Sequence, residues 1–316
     1  MQDDPRWDPE MRAAQAAFER AALAYPPIRL EQPFDPQRAI NDALNLPQAR
    51  RGPVMAESTD RWAPARGRRV LCRVHRPHTD RDLPVLVYFH GGGWVWSSVD
   101  THDRLMREYA AAAEVAVVGV DYALSPEAKF PQALEECAGV VRHLATEAAA
   151  WGLDATRIVV GGDSAGGNLA LATALLLRDT AGPRLAGILA IYPVCDSAMD
   201  TSTYAEFADG YWLTTEKMRF YWNAYVPHAA DRLHPLAAPL RADLSGLPPV
   251  LVQLAELDVL RAEGEALVQR LIACGVAAEL KIYPGVIHGF VRSTESVARA
   301  RDAVAQAGTW LRRTLA

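Results

Sequence analysis

Arg157-Ile158-Val159-Val160-Gly161-Gly162-Asp163-Ser164-Ala165-Gly166-Gly167-Asn168-Leu169-Ala170-Leu171-Ala172 runs from a β-branched stretch through a cluster of small residues into an apolar stretch of helical character. It reads as strand, sharp turn and helix, with a serine at the turn. Gly162 and Gly166 flank Ser164 and let the backbone adopt a strained turn that side chains there would obstruct, which lifts the hydroxyl out of the sheet. Such a serine is placed to form an acyl-enzyme. The competing explanation is that small residues merely open a helix packed closely on a sheet, so the surrounding chain must discriminate.

Outward from this turn, short β-rich runs alternate with longer helical ones. Strands are expected at 85–89, 115–121, 157–161, 185–192, 250–254 and 279–283, and helices at 104–113, 132–149, 167–178, 263–274 and 293–315. This alternation predicts an α/β fold with a mostly parallel central sheet flanked by helices. Ahead of it, 54–60 and 69–76 are expected to form an antiparallel edge pair separated by a link containing proline and glycine.

Two regions break the alternation. Residues 1–52 hold an amphipathic run with Met11, Ala14, Phe18, Ala22 and Tyr25 on one face, stopped by Pro26-Pro27, and a second short helix over 37–46. Residues 196–247 separate two strands and are rich in aromatics, a length more typical of a lid or binding insertion than of a plain loop. Together they are expected to form a helical cap, with 53–195 and 248–316 as the two parts of the core.

Composition narrows the function classes. A formal charge of -5 without a long Lys/Arg block argues against nucleic acid as partner and for a small-molecule substrate. The acidic, proline-broken start and the shortness of apolar runs such as 185–194 speak against a signal peptide and membrane insertion. Cys72, Cys137, Cys195 and Cys274 form no CxxC pair, so neither a metal site nor a redox motif is expected, and a reducing, cytoplasmic setting is. All four are expected as small core residues; Cys195, in the loop after a strand, is the one whose position also offers a place beside a pocket.

A serine hydroxyl needs a neighbouring base, itself oriented by a third group, and in this strand–turn–helix context those partners follow in the order carboxylate, histidine. Asp258 comes after the run 250–257 and before a helix, where a sheet of this type presents its site. Glu256 lies nearer the strand and is the competing carboxylate; Asp196 and Asp200 follow an earlier strand. His288 is the only histidine after Asp258. His90-Gly91-Gly92-Gly93-Trp94 follows the strand 85–89 and leaves backbone amides uncovered, as an oxyanion hole requires; the Ala165 amide at the helix start is the second donor. It has neither the GxGxxG spacing nor the lysine of a phosphate loop.

With HGGGW at 90–94, GDSAGG at 162–167, LDVLRAEG at 257–264 and HGF at 288–290, nearly the whole chain resembles the hormone-sensitive-lipase-like (family IV) bacterial carboxylesterases. The resemblance implies the α/β-hydrolase fold and hydrolysis of short- to medium-chain esters by Ser164, Asp258 and His288. It implies Gly92, Gly93 and Ala165 as the oxyanion hole, no metal or organic cofactor, and a homodimer as a reasonable assembly. Trp94, Tyr192, Trp212 and Tyr221 are expected to line the acyl pocket. The family's YRLAPE appears here as Tyr122-Ala123-Leu124-Ser125-Pro126-Glu127, without the arginine and its ion pair. A formamidase of the kynurenine type, a non-catalytic receptor on the same fold such as the gibberellin receptors, and a long-chain lipase are the rivals; His288 speaks against the receptor.

Overall fold

A computed structural model describes residues 4–31 and 34–316. The reading of the acidic start over Met1–Asp3, and of Gln32 and Pro33 within the N-terminal segment, lies outside the described residues.

An eight-stranded sheet in the order β1-β2-β4-β3-β5-β6-β7-β8 forms the centre. Its strands are β1 (Glu57–Ala65), β2 (Arg68–Arg76), β3 (Leu83–Phe89), β4 (Ala116–Val120), β5 (Leu153–Asp163), β6 (Gly187–Ile191), β7 (Val250–Leu257) and β8 (Ala278–Ile287). β3 to β8 run parallel, whereas β2 lies antiparallel to both β1 and β4. Every residue of β4 and β6 is buried, as strands covered on both faces require. Crossover helices α3 (Asp103–Ala113), α4 (Gln132–Glu147), α5 (Ala165–Asp179) and α8 (Arg261–Ala273), with the C-terminal helix α9 (Ala298–Thr314), flank the sheet. The link between α8 and β8 is short because Gly275, with a φ of 76°, turns the chain directly out of the helix.

The edge hairpin differs from the expected pair. β1 begins later and continues through Pro64 to Ala65, so the connection to β2 is only Arg66-Gly67, both at positive φ. Proline is tolerated because β1 is the outermost strand, where a missing amide forfeits no ladder bond.

Outside the alternation lie α1 (Pro9–Ala22), α2 (Asp35–Ala49), α6 (Ser202–Glu206) and α7 (Thr215–Tyr225). The Asp8 side chain caps α1 by accepting from the Glu10 and Met11 amides, while the Asp8 amide donates to the Gly285 carbonyl at 2.8 Å. Phe34, at the start of α2, meets Trp96 at 5.6 Å and Phe220 of α7 at 5.7 Å between ring centroids, so one aromatic cluster joins both outlying segments to the core. Tyr204, Phe207, Tyr211, Trp222 and Tyr225 are buried and continuous with the main hydrophobic core. Arg38 of α2 reaches the YRLAPE-like segment, donating to Glu127 at 2.8 Å and to the carbonyls of Ser125 and Val95 at 2.8 and 3.0 Å. An arginine from a distant helix thus binds the glutamate of a segment that lacks its own.

Candidate active site

Parallel strands end on one edge of the sheet, and register decides which residues meet there. Phe89 pairs with Gly162, so the loop after β3 emerges beside Ser164; Leu257 pairs with Ile287, so Asp258 and His288 leave neighbouring strands side by side. The second pairing depends on a bulge: from Ala255 to Leu257 the chain advances two residues, while β8 advances four, from Tyr283 to Ile287. Glu256 holds that bulge, because its carboxylate accepts the Gly285 amide at 2.7 Å. The competing carboxylate is therefore engaged in backbone geometry and not with His288.

Ser164 sits at φ 58° and ψ −119°, between β5 and α5, with its amide donating to the Ile191 carbonyl at 2.8 Å. The flanking glycines are sterically required. A Cβ on Gly162 would stand 2.4 Å from the Phe89 carbonyl oxygen, and one on Gly166 1.9 Å from the same atom. Ser164 Oγ lies 2.8 Å from His288 Nε2, and His288 Nδ1 lies 2.6 Å from Asp258 Oδ2. Asp258 Oδ1 accepts the Leu260 amide at 3.0 Å, which fixes the carboxylate as α8 begins. All three side chains are buried, with Ser164 the most open at 8%.

The glycine loop is shaped by Asp163. Its Oδ1 accepts the Gly91 amide at 2.9 Å and the Tyr88 hydroxyl at 2.8 Å, with His102 Nε2 at 3.5 Å. Burial alone would raise Asp163, but His102, Arg292 and these hydrogen bonds outweigh it and hold the carboxyl below its usual range. Burial and the neighbouring His102 push His90 down to about 3, so it stays neutral, and its Nδ1 bonds the Gly91 carbonyl at 2.8 Å. Gly92 and Gly93 have φ of 118° and 60°, and among the described residues their amides donate to no protein group. Ala165 opens α5, where an amide has no carbonyl a turn earlier.

A cavity of about 460 Å³ opens on Ser164 and His288. Phe18, Leu30 and Leu44 from the N-terminal segment and Trp212, Leu213 and Tyr221 from the insertion line it, with Gly92 and Gly93 at its floor. Of the four side chains expected there, Trp212 and Tyr221 reach the cavity. Trp94 does not: it is fully buried and stacks on Tyr225 at 4.3 Å between centroids, because its positive φ turns the ring into the core. Tyr192 is also fully buried and packs behind His288 at 4.5 Å. Cys195 is likewise enclosed in the core and does not line the cavity.

Sequence reasoning overlooked Glu263, inside the LDVLRAEG stretch. Its Oε2 accepts the amides of Cys195 and Asp196 at 2.7 and 2.6 Å, and its Oε1 accepts the Tyr204 hydroxyl at 3.2 Å. It ties the loop after β6 to the helix after Asp258. A glutamate among apolar helix positions was the available signal. Asp196 itself pairs with Arg241, away from His288. No group of His, Cys, Asp and Glu suited to a metal ion occurs among the described residues, and no described helix is long and apolar enough to cross a membrane.

Residues 86–292 match the family described as alpha/beta hydrolase fold. Carboxylesterase NlhH of Mycobacterium tuberculosis is 39% identical over 248 residues, covering 77% of this chain and 78% of that protein. Ethyl acetate hydrolase of Pseudomonas putida is 36% identical over 243 residues, covering 75% and 76%. The crystal structure of a thermostable esterase from Pseudomonas putida superposes with a TM-score of 0.91 at 36% identity, over 99% of both chains. The chain thus belongs to the hormone-sensitive-lipase-like family of alpha/beta hydrolases and is a carboxylesterase.

Proposed function

We propose that Ser164 is the nucleophile, His288 the base and Asp258 its orienting group, in a two-step hydrolysis of short- to medium-chain esters. The continuous hydrogen-bond line from Asp258 through His288 to Ser164 carries this reading. His288 Nε2 takes the Ser164 proton as Oγ adds to the ester carbonyl, then returns it to the departing alkoxide. Asp258 keeps Nδ1 protonated and stabilises the imidazolium. The amides of Gly92, Gly93 and Ala165 receive the oxyanion, supported by the N-terminal end of α5. Water, deprotonated by His288, then adds to the acyl-enzyme and releases the acid.

Residues 1–52 and 196–247 act as the cap that limits acyl length, a role supported by their shared lining of the cavity. That volume falls within the roughly 300–1,000 Å³ of small-molecule sites. The unpaired Cys72, Cys137, Cys195 and Cys274 fit a reducing, cytoplasmic setting. A series of p-nitrophenyl esters from acetate to dodecanoate tests both parts. Ser164→Ala should lower kcat by about 10³ or more, and wild-type kcat/KM should peak at short acyl chains. Near-wild-type turnover by Ser164→Ala would refute the nucleophile.

A further inference from the structure

The cavity wall beyond His288 carries two cations that ester hydrolysis does not use. Arg292 and Lys217 both line the cavity holding Ser164. Their charged groups lie 6.0 and 5.3 Å from the Trp212 ring centroid, and Trp212 in turn stacks on His288 at 6.2 Å. Arg292 Nη1 donates to Asn45 Oδ1 at 3.1 Å, and Lys217 Nζ to the Trp212 carbonyl at 2.6 Å. Both acceptors are neutral, and among the described residues neither cation has a carboxylate oxygen within 4.0 Å.

Two acids share this lining. Glu216 is exposed, and Asp163 is already bound by Tyr88, the Gly91 amide and His102, although Arg292 is near enough to favour its charged form. Burial lowers the Lys217 pKa against a smaller opposing pull from the charge of Asp209, which makes no ion pair with it, so the ammonium is drawn out of water without a carboxylate in contact. A desolvated cation without a counter-charge gains most from an entering anion. Arginine is suited to bind a carboxylate through parallel N–H bonds.

We propose that Arg292 and Lys217 form an anion subsite selecting esters that carry a second, ionised carboxylate, of which half-esters of short dicarboxylic acids are the simplest class. This rests on Ser164 performing the hydrolysis. The chemistry is unchanged: water replaces the alkoxy group at the acyl carbon, the alcohol leaves with a proton, and a dicarboxylate is released.

The test compares kcat/KM of the whole protein for monoethyl succinate and for its neutral isostere ethyl 4-methylpentanoate. The ratio of the two should fall about tenfold in both Arg292→Gln and Lys217→Met, and should fall with added salt in the wild type. Arg292→Lys, which keeps the charge, should retain most of the ratio and serves if the glutamine variant does not fold. A ratio changed less than about twofold by both neutralising variants, on the scale where tenfold is 1.4 kcal/mol, overturns the subsite. Ser164→Ala retaining hydrolysis of the neutral ester would instead strike the underlying mechanism, so the two failures are distinct.

Discussion

Replacing Glu263 by glutamine should remove a pH dependence of stability while leaving the loop it holds in place. Glu263 is 1% exposed, and burial pushes its pKa up to about 8 against the opposing hydrogen bonds from the Asp196 and Cys195 amides and Tyr204. In the unfolded chain a glutamate loses its proton near about pH 4.3. Between that value and about 8 the folded state keeps a proton that the unfolded state has released, so stability falls as pH rises through this window. Every tenfold difference in proton affinity between the two states is worth about 1.4 kcal/mol, which sets a ceiling of about 5 kcal/mol; relaxation around a buried charge reduces the expected effect to roughly 2 kcal/mol. Both backbone amides go to the same oxygen, Oε2, so a glutamine carbonyl can accept both while its NH₂ donates to the Tyr204 hydroxyl. Urea or thermal unfolding of both proteins from about pH 5 to 9 reads the outcome. The variant should match the wild type at the acidic end and exceed it by roughly 2 kcal/mol at the basic end. A stability difference constant across the range would refute the reasoning.

Asp258→Asn preserves shape but removes the charge behind His288, and kcat on p-nitrophenyl acetate should drop by on the order of 10³–10⁴ with little change in KM. An unchanged kcat would exclude its orienting role. Gly93→Ala places a Cβ 2.4 Å from the Tyr221 ring at a φ of 60°, so the loop amides must shift. Its kcat should fall by about 10², and adding Tyr221→Ala should recover part of the loss, a recovery whose absence would sever the steric link. Arg38→Ala removes two buried carbonyl partners and the Glu127 ion pair, at a cost of about 2–3 kcal/mol. Hydrogen exchange should then accelerate over residues 35–49, and unchanged protection there would show that α2 is held by other contacts.

Strand and helix identities in the parallel core are legible because each crossover unit buries a continuous β-branched run and then an apolar helical stripe. The turn at Ser164 is legible for a steric reason: Gly162 and Gly166 both face the Phe89 carbonyl, where no side chain fits. Boundaries were less legible. β8 continues to Ile287 although Pro284 and Gly285 interrupt its pattern, because the bulge they form is closed by Glu256 from the neighbouring strand. Trp94 was expected to line the acyl pocket, yet a positive φ invisible to residue type sends it into the core.

By itself the sequence determined that a glycine loop, a serine turn, a carboxylate and a histidine would each follow a parallel strand, and parallel strands all end at the same edge of a sheet. Only the tertiary structure decided which carboxylate meets His288, because a register shift of two residues between β7 and β8 selects Asp258 and commits Glu256 to the backbone. It also decided that Arg38 binds Glu127, that Glu263 holds the loop after β6, and that Arg292 and Lys217 share a cavity with Ser164. Those contacts join residues far apart in the chain, so no local periodicity encodes them; they arise from how the outlying segments pack over the strand ends.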